Sequence, residues 1–301
     1  MYLAHFGLHE APFSITPDTD FFFACSDYQQ ALNTLLIAVR NGEGFIKITG
    51  EVGTGKTLLC RQFLASVNKD INGPERFVTA YLPNPYLEPR ALLLALAEEL
   101  GVNLVKEDDQ HHLIKRLTLA LLEFARQRKS VVLCLDEAQA MPTESLEALR
   151  LLTNLETEKR KLLQVVLFGQ PELDDRLAQE SVRQLRQRIT FQYRLGKLGR
   201  GELDHYLAHR LRVAGYRGNR LFTKAAVRTL HWASGGIPRL VNVLAHKTML
   251  LAFGEGVQQV APRHVRAAAG DTPAARQGHL WWWGFAMLLA SAGSFSWAMF
   301  K

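Results

Sequence analysis

The sequence predicts an α/β protein, a parallel sheet between helices followed by a small all-α domain, and three observations lead to it. Short apolar runs alternate with helical periodicity as far as Leu195, the pattern of strands joined by crossover helices. Beyond Leu195 only helical periodicity remains. A glycine-rich loop also stands between the first strand and the helix after it, where α/β proteins commonly bind phosphate. Of the 301 residues 48% are apolar and 22% charged, a balance that excludes disordered, collagen-like and low-complexity chains. The net charge of +7 permits nucleotides, nucleic acid or anionic lipid as partners without choosing among them.

Taken in order, residues 1–25 are rich in Phe and Pro and read as a strap; Ser26 then caps a helix with Leu32, Leu35, Leu36 and Val39 on one face. GFIKITG (44–50) is a strand that feeds the glycine loop, and LLCRQFLASV (58–67) continues as helix. Further strands are expected at Phe77–Leu82, Val131–Asp136, Leu162–Phe168 and Ile189–Leu195. GKLGRG (196–201) marks a boundary, followed by helices at 202–215, 223–234 and 238–253 and a short stretch from Pro262. The expected organisation is therefore an α/β domain with its strap over 1–196, a helical domain over 197–270 and a polar linker over 271–279.

Leu280 to Phe300 carries no charge, and as a helix it would span about 31 Å, a bilayer core. Its tryptophans suit interfacial belts, and Arg263, Arg266 and Arg276 precede it while only Lys301 follows. The expectation is a single-pass transmembrane helix in the bacterial inner membrane, with the N-terminal bulk cytoplasmic. The N-terminus shows no secretory signal pattern, and Cys25, Cys60 and Cys134 form no CxxC pair, so neither a disulfide framework nor a zinc site is implied.

The chemistry lies in the loops. Gly50-Glu51-Val52-Gly53-Thr54-Gly55-Lys56-Thr57 matches GxxxxGK[ST] in its required strand-to-helix context. There the glycines curl backbone N–H groups around phosphate oxygens, Lys56 reaches the β/γ-phosphates and Thr57 binds Mg²⁺. VVLCL followed by Asp136 and Glu137 is an apolar strand delivering two acids, Asp136 for the Mg²⁺ shell and Glu137 to orient and polarise attacking water. ATP and Mg²⁺ are the cofactors this pairing implies. Gln170, after the strand 162–168, either offers its amide to the γ-phosphate or the water or forms a plain turn. Arg186 and Arg188 either reach a neighbouring subunit's nucleotide or lie on a solvated basic face. Pro238 opens a helix and fixes Arg239 near its positive end, where a phosphate could lie. Pro12 and Phe13 read as strap packing or as an adenine contact.

HFGLHEAPFSITPDTDFFF, GEVGTGKT, LCLDEAQ, LFGQPEL, LRQRI and GGIPRLVN, in that order, resemble the AAA+ ATPases of the ExeA/GspA type, and among them those that serve mannose-sensitive haemagglutinin (MSHA) pili. The resemblance implies a P-loop AAA+ core with a helical lid, Gln170 as sensor 1, Arg188 as arginine finger and Arg239 as sensor 2. It also implies a homo-oligomer that hydrolyses ATP to assemble or operate an MSHA-type (type IV) pilus or a related type II secretion complex, in contact with envelope proteins and the inner membrane. Peptidoglycan binding, a property of longer secretion relatives, is not carried over. The alternatives are a DNA-associated ATPase of the transposition-helper kind, against which the apolar tail argues, and a nucleotide-binding assembly switch with little turnover.

Overall fold

In the computed structural model, which describes residues 1–16, 18–69, 76–103, 110–154 and 161–275, the chain divides into two compact units. One is Ser26–Gly196; the other joins Met1–Cys25 to the chain from Lys197 onward. The strap thus groups with the helical unit and not, as expected, with the α/β unit.

Helix α1 (Tyr2–Phe6) opens the helical unit, and α2 (Ser26–Arg40) opens the α/β unit. The latter holds five strands, β1 (Phe45–Gly50), β2 (Arg76–Leu82), β3 (Lys129–Leu135), β4 (Leu163–Gly169) and β5 (Ile189–Leu195), all parallel in the order β2-β3-β4-β1-β5. Every residue of β4 is buried, as are the last five of β3, because helices cover both faces of a parallel sheet. Those helices are α3 (Lys56–Lys69), α4 (Pro89–Glu99), α5 (Gln110–Arg126) and α6 (Thr143–Leu152), with the short α7 (Glu172–Leu177) and α8 (Arg183–Arg186). Leu92, Leu93 and Leu96 of α4 and Leu113 and Leu117 of α5 pack with Leu133, Val165 and Leu167 of the sheet. Since all strands run one way, the loops after β1, β3 and β4 emerge at a single edge, where open α/β sheets bind ligands.

The helical unit comprises α9 (Arg200–Val213), α10 (Lys224–Ser234), α11 (Pro238–Gly254) and α12 (Pro262–Gly270) beside α1. The Thr223 side chain caps α10 by accepting from the Ala226 N–H, Gly235 ends it in the left-handed region, and Pro238 starts α11 at a position that has no N–H to satisfy. Leu203, Leu230, Val241, Leu244 and Met249 form the core together with Phe6, Phe13 and Phe21. The strap is held there for a physical reason: the Arg210 Nε donates to the Pro12 carbonyl at 2.6 Å and the Asn242 amide to the Ser14 carbonyl at 3.2 Å.

The expectation of a single-pass inner-membrane protein is corrected. Among the described residues no helix is long and apolar enough to cross a membrane. The longest, α5 and α11, have 17 residues each, about 26 Å, and α5 carries Lys115, Arg116, Glu123 and Arg126. The apolar stretch 280–300 lies outside the described residues, and the membrane placement has no described helix behind it.

Candidate functional site

β1 ends at Gly50 and α3 begins at Lys56, so the loop between them wraps the N-terminal end of a helix whose first N–H groups have no intrahelical partner. Glycine is required in it. Gly53 and Gly55 have φ of 81° and 99°, and a Cβ on Gly55 would lie 3.3 Å from the Tyr28 ring. A Cβ on Gly50 would sit 2.8 Å from the Thr54 hydroxyl. Lys56 is 5% exposed, and its ammonium donates to the carbonyls of Gly50 at 2.8 Å and Glu51 at 3.1 Å. Burial holds the Lys56 pKa below its ordinary value, against the opposing pull of Glu137, Asp136, Glu51 and Glu172. This cation rests on loop carbonyls within reach of several acids, an arrangement that an anionic phosphate can take over.

β3 delivers Asp136, 2% exposed, whose Oδ2 accepts from the Thr57 hydroxyl at 2.6 Å and whose Oδ1 accepts from the Glu137 N–H at 3.0 Å. Burial raises the Asp136 pKa; these two hydrogen bonds and Lys56 only partly oppose it, and the neighbouring Glu137 adds to the rise. Glu137 itself stands in the left-handed region at φ 54°, unusual for a residue with a side chain and the kind of backbone strain that gathers at functional sites. Its Oε2 accepts from the Gln139 side-chain amide at 2.5 Å and the Gln170 side-chain amide at 3.0 Å, while the Gln139 side-chain Oε1 accepts the Gln170 backbone N–H at 3.0 Å. A ring of three residues, closed through the Gln170 backbone N–H, thus joins the loops after β3 and β4. Burial pushes the Glu137 pKa up, but the Gln170 and Gln139 hydrogen bonds and the charge of Lys56 outweigh it, and the net displacement is downward. Glu137 is therefore held as a carboxylate beside a lysine, the state a water-polarising group needs.

Thr57 and Asp136 offer a hydroxyl and a carboxylate, hard oxygen donors of the kind Mg²⁺ takes. Among the described residues no group of three or more His, Cys, Asp or Glu is placed to hold a metal ion. A cation here would complete its shell from phosphate oxygens and water, the usual Mg²⁺ arrangement at nucleotides.

The structure brings Lys56, Thr57, Asp136, Glu137 and Gln170 to one sheet edge, and Arg186 and Arg188 to the other. These arginines precede β5, whose first residue pairs with Phe45 at the start of β1, so the length of the sheet separates them from the Gly50 end. Arg186 is exposed; Arg188 is half-buried and directs Nη1 toward the Arg150 carbonyl at 3.5 Å. Arg239 is the second residue of α11 in the helical unit. Two contributors escaped sequence reasoning. Gln139 had a signal, two residues past Glu137 in LCLDEAQ, whereas Tyr28, which donates its hydroxyl to the Gly55 carbonyl at 2.7 Å, had none.

Residues 39–177 match the family profile described as AAA domain. The chain is 40% identical over 300 residues to general secretion pathway protein A of Aeromonas hydrophila, covering 97% of this chain and 52% of that protein. It therefore spans about half the length of that curated relative. Among solved structures it resembles the Aeropyrum pernix ORC2 protein in its ADPNP–ADP complexes (TM-score 0.60, 18% identical, 82% of this chain and 67% of the other). It also resembles Drosophila ORC bound to DNA (TM-score 0.62, 17% identical, 89% and 68%) and the Thermotoga maritima RuvB Holliday junction branch migration motor (0.51, 15%, 82% and 69%). At these identities the likeness is one of fold.

Proposed function

We propose that the chain is an AAA protein of the ExeA/GspA type, as its AAA-domain match and its 40% identity to general secretion pathway protein A support, and that it hydrolyses ATP with Mg²⁺ to drive assembly or operation of an envelope secretion complex of the type II kind. The observation that carries this is the ring of Glu137, Gln139 and Gln170 beside Lys56, which keeps a carboxylate ionised where a γ-phosphate would end. In this reading the N–H groups of Gly50 to Thr57 and the Lys56 ammonium cradle the phosphates, and Thr57 and Asp136 hold Mg²⁺, which supplies charge neutralisation when bound. Glu137 orients and polarises the attacking water, and Gln170 reports on the γ-phosphate as sensor 1.

Arg188, with Arg186 beside it, serves a neighbouring copy's nucleotide, which makes the working form a homo-oligomer; its place at the sheet edge away from its own loop supports action in trans. Arg239 acts as sensor 2 from a helical lid. The narrower reading, an ATPase of MSHA-type pilus biogenesis, rests on the six ordered motifs. The structural relatives that bind DNA share the fold at 17% identity and add nothing to a DNA-associated role.

The test is a pair of measurements on the full-length Glu137→Gln protein. ATP turnover should fall by about a thousandfold with nucleotide still bound, and affinity purification with ATP should retain secretion or pilus envelope proteins that Lys56→Ala releases. Turnover that survives the substitution refutes the hydrolytic assignment; lost turnover with biological function intact favours the assembly switch. Recovery of nucleic acid alone favours the DNA-associated role.

A further inference from the structure

The chain enters the α/β unit at Ser26 and leaves it at Gly196. Asp27, in the first turn of α2, ties these ends together: its Oδ2 accepts the Gly196 N–H at 2.6 Å and its Oδ1 the Tyr193 hydroxyl at 2.6 Å. The adjacent Tyr28, 6% exposed, donates to the Gly55 carbonyl at 2.7 Å, an oxygen that also accepts the Leu59 N–H at 2.9 Å. Both lone pairs of that carbonyl are thereby used. Because the peptide unit is planar and trans, holding the Gly55 carbonyl toward Tyr28 and Leu59 turns the Lys56 N–H the opposite way.

The other end of the loop is tied to the same place. Leu195 pairs with Gly50 in the β1–β5 register, and its carbonyl oxygen lies 3.1 Å from where a Gly50 Cβ would stand. The contacts form a circuit, Gly50 to Leu195 to Gly196 to Asp27 to Tyr28 to Gly55, that closes through the phosphate loop. A helix moves as a rigid piece over one turn, so a displacement of Tyr28 carries Asp27, and with it Gly196.

We propose that Asp27 and Tyr28 are positioning residues that couple the phosphate loop to the Gly196 end of the α/β unit, so that nucleotide binding shifts the chain over Lys197–Gly201. This rests on the nucleotide-binding reading of the loop. Neither side chain needs to touch nucleotide for the coupling to work.

Exposed Lys197 and Arg200 allow trypsin to read this segment in the full-length protein, with and without Mg²⁺ and a non-hydrolysable ATP analogue, while a fluorescent nucleotide reports binding separately. In the unaltered protein the analogue should change the rate of cleavage there by about threefold or more. Tyr28→Phe and Asp27→Asn should still bind, weakened by no more than about tenfold for one lost hydrogen bond, yet show no nucleotide-dependent change. Tyr193→Phe frees one Asp27 oxygen without touching the loop and should reduce the change if Asp27→Asn does not fold. The proposal is overturned if the variants keep the full response, or if the unaltered protein binds the analogue with cleavage unchanged. Failure of the unaltered protein to bind at all would instead remove the nucleotide-binding reading, and the coupling with it.

Discussion

Among the described residues each unit buries one lysine or arginine, and the two are treated in opposite ways. In the helical unit Arg210, 6% exposed, gives Nε to the Pro12 carbonyl at 2.6 Å, Nη2 to the Ser14 carbonyl at 3.4 Å and Nη1 to the Tyr206 hydroxyl at 3.4 Å. Its guanidinium also lies 4.8 Å from the centre of the Phe21 ring. The Pro12 and Ser14 carbonyls come from the other end of the sequence and answer two of its donors. In the α/β unit Lys56 rests on carbonyls five and six residues away, with a depressed pKa and carboxylates nearby. A buried charge satisfied by distant backbone is a staple; one leaning on its own loop is available to a ligand.

Two substitutions separate the two roles. Lys56→Ala should weaken ATP binding by about a hundredfold or more through lost charge-assisted hydrogen bonds to phosphate, with little change in the thermal midpoint of the nucleotide-free protein; isothermal titration and a melting curve read both. Arg210→Ala should do the reverse. It strands the Pro12 carbonyl of a buried residue at a cost of about 1–3 kcal/mol, lowering the midpoint by several degrees at ~2–4 °C per kcal/mol while leaving nucleotide affinity within about twofold. A large affinity loss in Arg210→Ala would collapse the distinction.

The smallest effect is stabilising. The folded Asp136 pKa lies above its ordinary value, so the fold binds that proton more tightly than the unfolded chain does, and stability from this group is present at low pH and lost as the pH rises through the folded pKa. Asp136→Asn removes the penalty. Near pH 8 the nucleotide-free variant should melt higher, and the gap should close as the pH falls toward the ordinary carboxylate range. Unchanged melting at both pH values would mean that the Thr57 and Glu137 hydrogen bonds fully offset burial.

The central strands were legible because each is a compact apolar run bounded by turn residues or a charge: Lys129–Leu135 is followed by two acids and Leu163–Gly169 by Gln-Pro. The phosphate loop was legible because its chemistry is local in sequence. What escaped was whatever depends on distant pairing. Nothing in HEAPFSI announces that its carbonyls will meet an arginine 198 residues on, so the strap was assigned to the α/β domain, its nearest neighbour along the chain. Tyr28 escaped for the same reason, since an amphipathic helix with an aromatic in its first turn is commonplace. Gln139 joined the site only when the left-handed backbone at Glu137 turned both side chains toward Gln170.

The division of the chain also sets an order on its synthesis. The core of the helical unit draws on Phe6, Phe13 and Phe21, yet Leu203 and everything that covers them lies beyond Gly196. On a ribosome adding ~5–20 residues each second, those phenylalanines wait on the order of ten to thirty seconds for their partners. The α/β unit, complete in one stretch with its two ends latched by Asp27, can form first and bring residue 25 close to residue 197, which shortens the loop the second unit must close.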